Sequence, residues 1–314
     1  MRIAIVGAGA MGSLFGGYLA GAGADVTLVD VNKAHIDAIN AEGLSLDTGD
    51  GPRRIEVKAT TEPASAGIVD LIVVFCKYRQ TSEAMNAARP MMSPETYVWT
   101  LQNGIGNVDL IRETVAEDRV VKGLTTATGI FDGPGAVSTN FKGETETFMW
   151  PLDGGAHALL DDVAAAFTDA GLPTYRAPDI DYRIWRKLVI NAGLTVLSAA
   201  VNVGIGAVGE SEPGKQLLGA VVEEVVAVAQ AAGVPLQLED ARAYQEELRH
   251  KAFDHIGSTT IDLQGGRLTE IDAMCGAVVR EGARLGVPTP TNLVITRLVK
   301  LIEATRGERL TPAI

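Results

Sequence analysis

The first thirty residues, MRIAIVGAGAMGSLFGGYLAGAGADVTLVD, decide the fold of this chain. Arg2–Val6 is a short β-rich run, Ser13–Ala22 has the small residues of a tightly packed helix, and Asp25–Asp30 is again β-rich. A glycine-rich turn over residues 7–12 joins the first run to the helix. The pattern predicts a βαβ unit, and a parallel sheet that grows from it.

The glycine turn has the spacing G-x-G-x-x-G of a dinucleotide site. Its first glycine permits a tight turn, its second lets a pyrophosphate approach the backbone, and its third lets the helix pack closely on the strand. The helix N-terminus adds N–H groups and partial positive charge. In a chain with 35 glycines a purely structural turn is the alternative. The cofactor-binding residues predicted here are Gly7, Gly9, Ala10, Met11 and Gly12.

Asp30 bears on which dinucleotide binds, because it ends the second predicted strand. A carboxylate there can accept hydrogen bonds from the adenosine ribose 2′-hydroxyl and repels a 2′-phosphate. Val31 and Asn32 supply no guanidinium for that phosphate, although Lys33 is a nearby cation. NAD is therefore favoured, and NADP stays the alternative.

Strand-like and helix-like segments alternate through the rest of the first half. This alternation is typical of a mostly parallel, doubly wound sheet. The predicted strands are 54–59, 71–76, 97–100, 120–126, a short one near Val137, 146–150 and 173–176, and the predicted helices are 81–89, 107–117 and 156–170. We place a Rossmann-type dinucleotide-binding domain over residues 1–178.

The second half, residues 179–314, is predicted to be all-helical. Apolar residues recur with helical spacing over 181–202, 212–233, 238–254 and 268–285. Gly-Val-Pro at 233–235 and again at 286–288 gives a glycine stop followed by a proline. The fold class is therefore α/β, with an N-terminal doubly wound sheet and a helical C-terminal domain.

Composition excludes several classes of function. A net charge of −12 over 314 residues argues against a nucleic-acid partner, which needs a basic face. No run is expected to match the roughly 20 apolar residues of a membrane span, and the N-terminus reads as a strand rather than a signal peptide. Cys76 and Cys275 suggest no disulfide framework, which favours a reducing cytoplasm. None of the four histidines has metal-ligand spacing or a catalytic assignment.

Five further segments occur in a fixed order along the chain. They are Lys77 with Gln80, Gln102-Asn103-Gly104, Lys187-Leu-Val-Ile-Asn191, Arg267-Leu-Thr-Glu270-Ile-Asp272, and Gly286-Val-Pro-Thr-Pro-Thr-Asn292. Together with the glycine motif they resemble the ketopantoate reductase family over essentially the whole chain. The resemblance implies hydride transfer from NAD(P)H to a small branched 2-oxo acid, which gives a D-2-hydroxy acid as in a 2-dehydropantoate 2-reductase.

The resemblance also implies catalytic roles. Lys187 would be the general acid that protonates the developing alkoxide, Glu270 would contact the substrate oxygen and orient the lysine, and Asn103 would position lysine and cofactor. Each has a plainer alternative. Lys187 could be a solvated helix lysine, Glu270 could begin the helix predicted over 268–285, and Asn103-Gly104 could be a simple turn.

The family positions for substrate and cofactor binding are also present. Asn191, Thr195 and Ser258 match substrate contacts, with capping or packing as the alternative, and Lys77 and Gln80 match cofactor contacts, with surface positions as the alternative. The chain departs from the pantothenate-pathway pattern at Thr195 and Ile205, where asparagines are expected, although Asn202 lies nearby.

These departures and Asp30 keep an NAD-dependent D-2-hydroxy acid dehydrogenase of the same family as an alternative. A β-hydroxy acid dehydrogenase or imine reductase can also use a K-x-x-x-N pair, but the T-E-I-D and P-T-P-T-N segments disfavour it. A catalytically silent dinucleotide sensor is disfavoured by the joint presence of Lys187, Asn191, Ser258 and Glu270. Apolar faces at 217–229 and 274–298 predict a homodimer.

Overall fold

A computed structural model of the chain describes residues 1–139 and 145–308. They form two compact units, of which the first comprises Met1–Gln102 with Asn107–Ile180 and the second comprises Asn103–Gly106 with the chain from Asp181 onward. The sequence placed the division at 178/179 and assigned residues 103–106 to the first domain. The short segment Asn103–Gly106 groups instead with the helical unit.

The first unit is an α/β structure. Its strands are β1 (Arg2–Val6), β2 (Asp25–Val29), β3 (Leu44–Asp47), β4 (Pro52–Ile55), β5 (Lys58–Thr60), β6 (Leu71–Val74), β7 (Tyr97–Thr100), β8 (Val120–Thr125), β9 (Ile130–Gly133), β10 (Ala136–Ser138), β11 (Thr147–Pro151) and β12 (Thr174–Arg176). Its helices are α1 (Ala10–Gly21), α2 (Lys33–Glu42), α3 (Thr81–Ala88), α4 (Asn107–Arg112) and α5 (Ala158–Asp169).

The main sheet has eight strands in the order β12-β11-β8-β7-β6-β1-β2-β5. All neighbouring strands are parallel except β8 and β11, which are antiparallel. The chain extends the sheet from β1 toward β2 first and then returns to add β6 on the other side. Ligands of doubly wound sheets bind at the carboxyl ends of the strands beside such a switch. The predicted doubly wound fold is confirmed.

A second sheet, with the strand order β4-β3-β10-β9, was not predicted. The single strand expected over residues 54–59 is wrong, because this run divides into β4 in the second sheet and β5 at the edge of the main sheet. β3 alternates buried and half-buried residues, and its Leu44 and Leu46 pack against α1 at Gly17. β3 has only 4 residues, which is too short to recognise from its sequence. Its packing against α1 makes it visible.

The second unit contains helices and no strand among its described residues, which confirms the all-helical prediction. Its helices are α6 (Ile180–Ile190), a π-helical turn (Asn191–Thr195), α7 (Val196–Val201), α8 (Glu212–Ala231), α9 (Leu238–Lys251), α10 (Ser258–Gln264), α11 (Cys275–Leu285) and α12 (Pro290–Ala304). The helix predicted over 268–285 is wrong at its start, since α11 begins only at Cys275.

One helical run corrects the expectation that no segment approaches the length of a membrane span. Ile180–Val201, which joins α6, the π-helical turn and α7, has 22 residues and is long and apolar enough to cross a membrane. However, 67% of its most apolar stretch is buried inside the protein. Val189, Ala192, Leu194 and Val196 belong to the core of the second unit, so we interpret the run as a core helix.

Candidate active site

The glycine loop lies between β1 and α1, at the carboxyl end of the central strand. Gly7 has a φ of +92°, and a Cβ there would lie 2.3 Å from the backbone N of Cys76. A Cβ on Gly12 would lie 2.1 Å from the Gly7 carbonyl oxygen, whereas one on Gly9 would meet nothing within 4 Å. The loop is thus closed toward the sheet and open at Gly9. Since α1 begins at Ala10, its first N–H groups are available to a phosphate beside Gly9.

Asp30 follows β2 directly and shapes the turn into α2. Its Oδ1 accepts a 2.8 Å hydrogen bond from the Asn32 backbone N–H. Lys33, the cation that favoured NADP, donates to both carboxylate oxygens of Asp37 at 2.8 and 2.7 Å. The Lys33 ammonium therefore pairs within α2, whereas Asp30 lies directly after β2.

Lys77 and Gln80 lie on the loop that follows β6, beside the glycine loop. The contact between Gly7 and the Cys76 backbone brings this loop next to the predicted phosphate site. Gln102 was quoted in the sequence motif without a role, yet its Nε2 donates to the Cys76 carbonyl at 2.6 Å and to Thr81 Oγ1 at 2.8 Å. Gln102 thereby fixes both ends of the segment that carries Lys77 and Gln80.

The loop after β8 was missed as a neighbour of the cofactor site. A Cβ on Gly129 would lie 3.0 Å from the Ala10 carbonyl oxygen and 3.3 Å from Met11 Sδ. Nothing in the local sequence indicates this approach, because it depends on how β8 leaves the sheet.

The second unit joins the three predicted catalytic residues. Lys187, on α6, donates a 3.2 Å hydrogen bond from Nζ to Oδ1 of Asn103. The Nδ2 of Asn103 in turn donates to Oε2 of Glu270 at 3.4 Å, which is a long bond. An ammonium, an amide and a carboxylate thus form one connected group.

The turn at Asn103-Gly104 is what places the amide. Gly104 has a φ of +80°, and a Cβ there would lie 1.9 Å from the Ala273 carbonyl oxygen. The Ile105 N–H donates to the same carbonyl at 3.0 Å. Asn103-Gly104 therefore forms a turn, and the same turn positions the Asn103 amide. The two interpretations of this dipeptide are compatible.

The segment 269–273 holds Glu270 in a turn and not at a helix start. The explanation of Glu270 as a helix-entry carboxylate is wrong, because α11 begins at Cys275 and the Glu270 carbonyl accepts from Ala273 N at 2.9 Å. The buried Glu303 of α12 accepts from the N–H and the hydroxyl of Thr269 at 2.7 and 2.6 Å. These bonds anchor the turn that carries Glu270.

The electrostatics of Lys187 suit proton transfer. Burial lowers the pKa of Lys187 from 10.5 to about 8, against the opposing charge of Glu270. An acid with a pKa near neutrality can both hold a proton at working pH and release it readily. The chemistry available to this group is donation of a proton to a nascent oxyanion.

The three predicted substrate residues also lie in the second unit. Asn191 and Thr195 begin and end the π-helical turn, a feature that is frequent at functional sites and was not predicted. A Cβ on Gly257 would lie 2.7 Å from Thr195 Cγ2, so Thr195 adjoins the residue that precedes Ser258. Ser258 is exposed at the start of α10.

The departures from the family pattern have structural explanations. Ile205 is 2% exposed within the core of the second unit, where a polar side chain would be costly. Asn202 adopts a left-handed conformation, and its Oδ1 accepts from Gln264 at 2.9 Å. Its amide oxygen is therefore used to join α7 to α10.

Among the described residues, no group of His, Cys, Asp and Glu could hold a metal ion.

Comparison with known proteins identifies this arrangement. The family model described as "Ketopantoate reductase PanE/ApbA" matches residues 3–151, and the model of its C-terminal part matches residues 179–303. The chain belongs to the ketopantoate reductase family. The resemblance found in the sequence is thus confirmed.

Similar family members span the whole chain. A 2-dehydropantoate 2-reductase of Streptococcus pyogenes serotype M1 is 32% identical over 305 residues, covering 97% of this chain and 98% of the relative. One from Pyrococcus horikoshii is 32% identical over 307 residues, covering 98% and 99%. Our chain is accordingly an NAD(P)-dependent CH–OH oxidoreductase of the 2-dehydropantoate 2-reductase type.

Solved structures agree with this family. A ternary complex of D-mandelate dehydrogenase with NADH and anilino(oxo)acetate has a TM-score of 0.92 at 29% identity, covering 98% of this chain and 100% of that one. A ketopantoate reductase family protein from Ralstonia eutropha JMP134 has a TM-score of 0.89 at 33% identity, with the same coverage. A D-mandelate dehydrogenase and a ketopantoate reductase family protein therefore share the fold of this chain.

Proposed function

We propose that this chain reduces a small branched 2-oxo acid to the D-2-hydroxy acid, with Lys187 as the proton donor. The observation that supports this most directly is the connected group of Lys187, Asn103 and Glu270, with the pKa of the lysine lowered to about 8. Similarity to the curated relatives makes 2-dehydropantoate the first substrate to test.

When bound, a nicotinamide cofactor would supply the hydride for the carbonyl carbon. Lys187 stabilises the negative charge that develops on the carbonyl oxygen and then transfers its proton to that oxygen, so that an alcohol forms and a neutral amine remains. Asn103 is a positioning residue, because its amide oxygen accepts from Lys187 and fixes the direction of the ammonium. Glu270 favours the protonated lysine by its charge and offers a carboxylate oxygen to the product hydroxyl.

Asn191, Thr195 and Ser258 would hold the substrate carboxylate and hydroxyl. An amide N–H and a hydroxyl can each donate to a carboxylate oxygen. Asn191, which begins the π-helical turn, is half-buried, whereas Thr195 at its end is buried. Thr195, where the family pattern expects an asparagine, keeps one hydrogen-bond donor but has a shorter side chain.

The glycine loop, Lys77, Gln80 and Asp30 would hold the dinucleotide, with NADH preferred over NADPH. Asp30 would accept from the ribose 2′-hydroxyl and repel a 2′-phosphate. Lys33, the cation that follows Asp30 in the sequence, pairs with Asp37 on the surface of α2. The NADH complex of the similar D-mandelate dehydrogenase supports the same preference and keeps an NAD-dependent D-2-hydroxy acid dehydrogenase as the second candidate.

We also expect a homodimer in the cytoplasm. Leu217, Val294 and Leu298 are exposed apolar side chains, on the segments predicted as interface faces. Cys76 and Cys275 are thiols, as suits a reducing compartment. Sedimentation analysis tests the dimer, and cell fractionation tests the location.

The test of the proposed function is NADH and NADPH oxidation with 2-dehydropantoate and a panel of branched and aromatic 2-oxo acids. Lys187→Ala should lower kcat by about 10²–10⁴-fold with little change in NADH affinity. Lys215→Ala, an exposed lysine on α8, is the matched control and should keep full activity. Cofactor binding without turnover of any oxo acid would identify a sensor, and full activity in Lys187→Ala would exclude the proposed acid.

A further inference from the structure

A buried histidine lies directly behind the glycine loop. His35, on α2, is 1% exposed, and Ser13, on α1, is fully buried. His35 Nε2 lies 2.9 Å from Ser13 Oγ, and Ser13 Oγ donates to the Ala8 carbonyl at 2.7 Å. On the other side of the ring, the Gly135 N–H donates to Nδ1 at 2.9 Å. Neither His35 nor Ser13 received a role from the sequence.

These partners determine the protonation state of the imidazole. The Gly135 N–H can only donate, so Nδ1 must be the unprotonated acceptor. The Ser13 hydroxyl gives its one proton to Ala8, so it must accept from an Nε2–H. His35 is therefore neutral with its proton on Nε2. Burial lowers the pKa of His35 and favours the same neutral state, although the charge of Asp30 and the backbone groups of Ala8 and Gly133 oppose it.

The main chain of His35 extends this network to the other end of the cofactor site. The His35 N–H donates to Oδ1 of Asn32 at 3.3 Å, and the Asn32 N–H donates to Oδ1 of Asp30 at 2.8 Å. A single residue is thus connected through Asn32 to the carboxylate after β2 and through Ser13 to the glycine loop after β1.

The bond at Ala8 has a direct consequence for phosphate binding. A trans peptide is planar, so a fixed Ala8 carbonyl also fixes the Gly9 N–H on the opposite side of the same plane. Gly9 is the open residue of the loop, since a Cβ there would meet nothing within 4 Å. The Ser13 hydroxyl therefore orients the peptide group that joins Ala8 to the residue at which a pyrophosphate is expected to approach the backbone.

We infer that the imidazole of His35 is a positioning residue of the dinucleotide site, which sets the Ala8–Gly9 peptide through Ser13. The inference rests on the proposed binding of a dinucleotide at the glycine loop. His35 acts through Ser13 and not by touching the dinucleotide. The bond to Asn32 comes from the main chain, which any residue except proline would supply, so it does not depend on the imidazole.

The test measures NADH binding without any oxo acid, by titrating NADH fluorescence against the folded protein. His35→Phe keeps a ring of similar size but removes both ring hydrogen bonds, and we expect the Kd for NADH to rise about tenfold or more. In turnover, the KM for NADH should rise in parallel, while kcat at saturating NADH and the KM for the oxo acid change by less. Ser13→Ala, which breaks the same path at its next atom, should weaken NADH binding in the same direction.

His157→Phe is the matched control. His157 belongs to the same unit and bonds Tyr97 Oη at 2.9 Å and Asp153 at 3.0 Å, so its loss should lower the melting temperature without changing the Kd for NADH. His35→Gln offers a donor group and an acceptor group and should recover part of the affinity that His35→Phe loses. Ser13→Ala replaces His35→Phe if that variant fails to fold.

An unchanged Kd in folded His35→Phe, or in Ser13→Ala where it replaces that variant, overturns the inference, as does an equal loss in His157→Phe. Absence of NADH and NADPH binding by the unaltered protein would instead contradict the proposed function.

Discussion

The ammonium of Lys187 donates to the amide oxygen of Asn103 at 3.2 Å, across 84 positions of the sequence. Each partner is held by its own structure. Lys187 lies on the core helix α6, and Asn103 is fixed by the close contact of Gly104 with the Ala273 carbonyl. The distance between them is therefore set before any ligand binds, and a preorganised donor loses little on reaction.

The pH profile should show the titration of Lys187. Reduction needs the protonated lysine, whose pKa is about 8, so kcat/KM for the oxo acid should be level below pH 8 and fall above it. Oxidation of the hydroxy acid needs the neutral amine and should rise toward a plateau above pH 8. Initial rates in both directions between pH 6 and 10 measure this. A reductive rate that stays level to pH 10 would contradict the assignment of Lys187.

Glu270→Gln should move this break to lower pH. The charge of Glu270 raises the pKa of Lys187 against the effect of burial, so its removal lowers that pKa below 8. The fall in reductive rate should therefore begin earlier on the pH scale, in addition to a lower maximum. Glu239→Gln, an exposed residue on α9, is the control and should leave the break where it is. A break that moves upward in Glu270→Gln would refute this electrostatic account.

Lys187→Met should stabilise the protein at neutral pH. The lowering of the pKa from 10.5 to about 8 means that the buried ammonium reduces the free energy of unfolding by on the order of 3 kcal/mol. Lys187→Met removes this cost but also removes the hydrogen bond to Asn103. We therefore expect a net gain of about 1–2 kcal/mol. Below pH 8 both folded and unfolded chains carry the proton and the cost is constant. Between pH 8 and 10.5 the unfolded chain binds more protons, so the stability of the unaltered protein rises with pH.

Urea unfolding of both proteins at pH 7 and pH 10 measures this difference, which should shrink at the higher pH. Lys215→Met, at an exposed position, should change neither value by more than about 0.5 kcal/mol. A less stable Lys187→Met at pH 7 would show that the ammonium contributes net stability.

Asp30→Ala should shift coenzyme preference toward NADPH. The substitution removes both the proposed acceptor for the ribose hydroxyl and the charge that repels a 2′-phosphate, so the Kd for NADH rises and that for NADPH falls. Fluorescence titration with both coenzymes gives the ratio. Asp25→Ala is the control, because Asp25 lies at the opposite end of β2 from Asp30 and pairs there with Lys58. An unchanged ratio in Asp30→Ala would exclude the ribose contact.

Glu224→Ala should destabilise the second unit by about 2–4 kcal/mol. The Glu224 carboxylate accepts from the backbone N–H groups of Thr291 and Asn292 at 2.7 and 2.9 Å, and from Asn292 Nδ2 at 2.8 Å. It thereby caps the first turn of α12 from α8. The neighbouring Glu223 is exposed and pairs with Arg242 on the surface, so Glu223→Ala should cost less than about 1 kcal/mol. Equal melting temperatures for the two variants would contradict this.

Local rules explain why parts of both units were predictable. The glycine spacing, the buried strands β1, β6 and β7, and the glycine stop at Gly286, which adopts the left-handed conformation, follow from steric and periodic constraints on neighbouring residues. The strand expected over 54–59 failed because its two halves pair with different sheets. The helix expected from 268 failed because Glu303, far along the chain, holds Thr269 in a turn.

The βαβ start, the doubly wound sheet, the helical second half and the candidate lysine, amide and carboxylate were all predictable from the residues and their order. Their arrangement in space was not. The lowered pKa of Lys187, its bond to Asn103, the turn at Glu270 and the position of His35 behind the glycine loop all depend on burial and on partners distant in sequence. Burial and long-range hydrogen bonds are properties of the packed chain, and no local pattern encodes them.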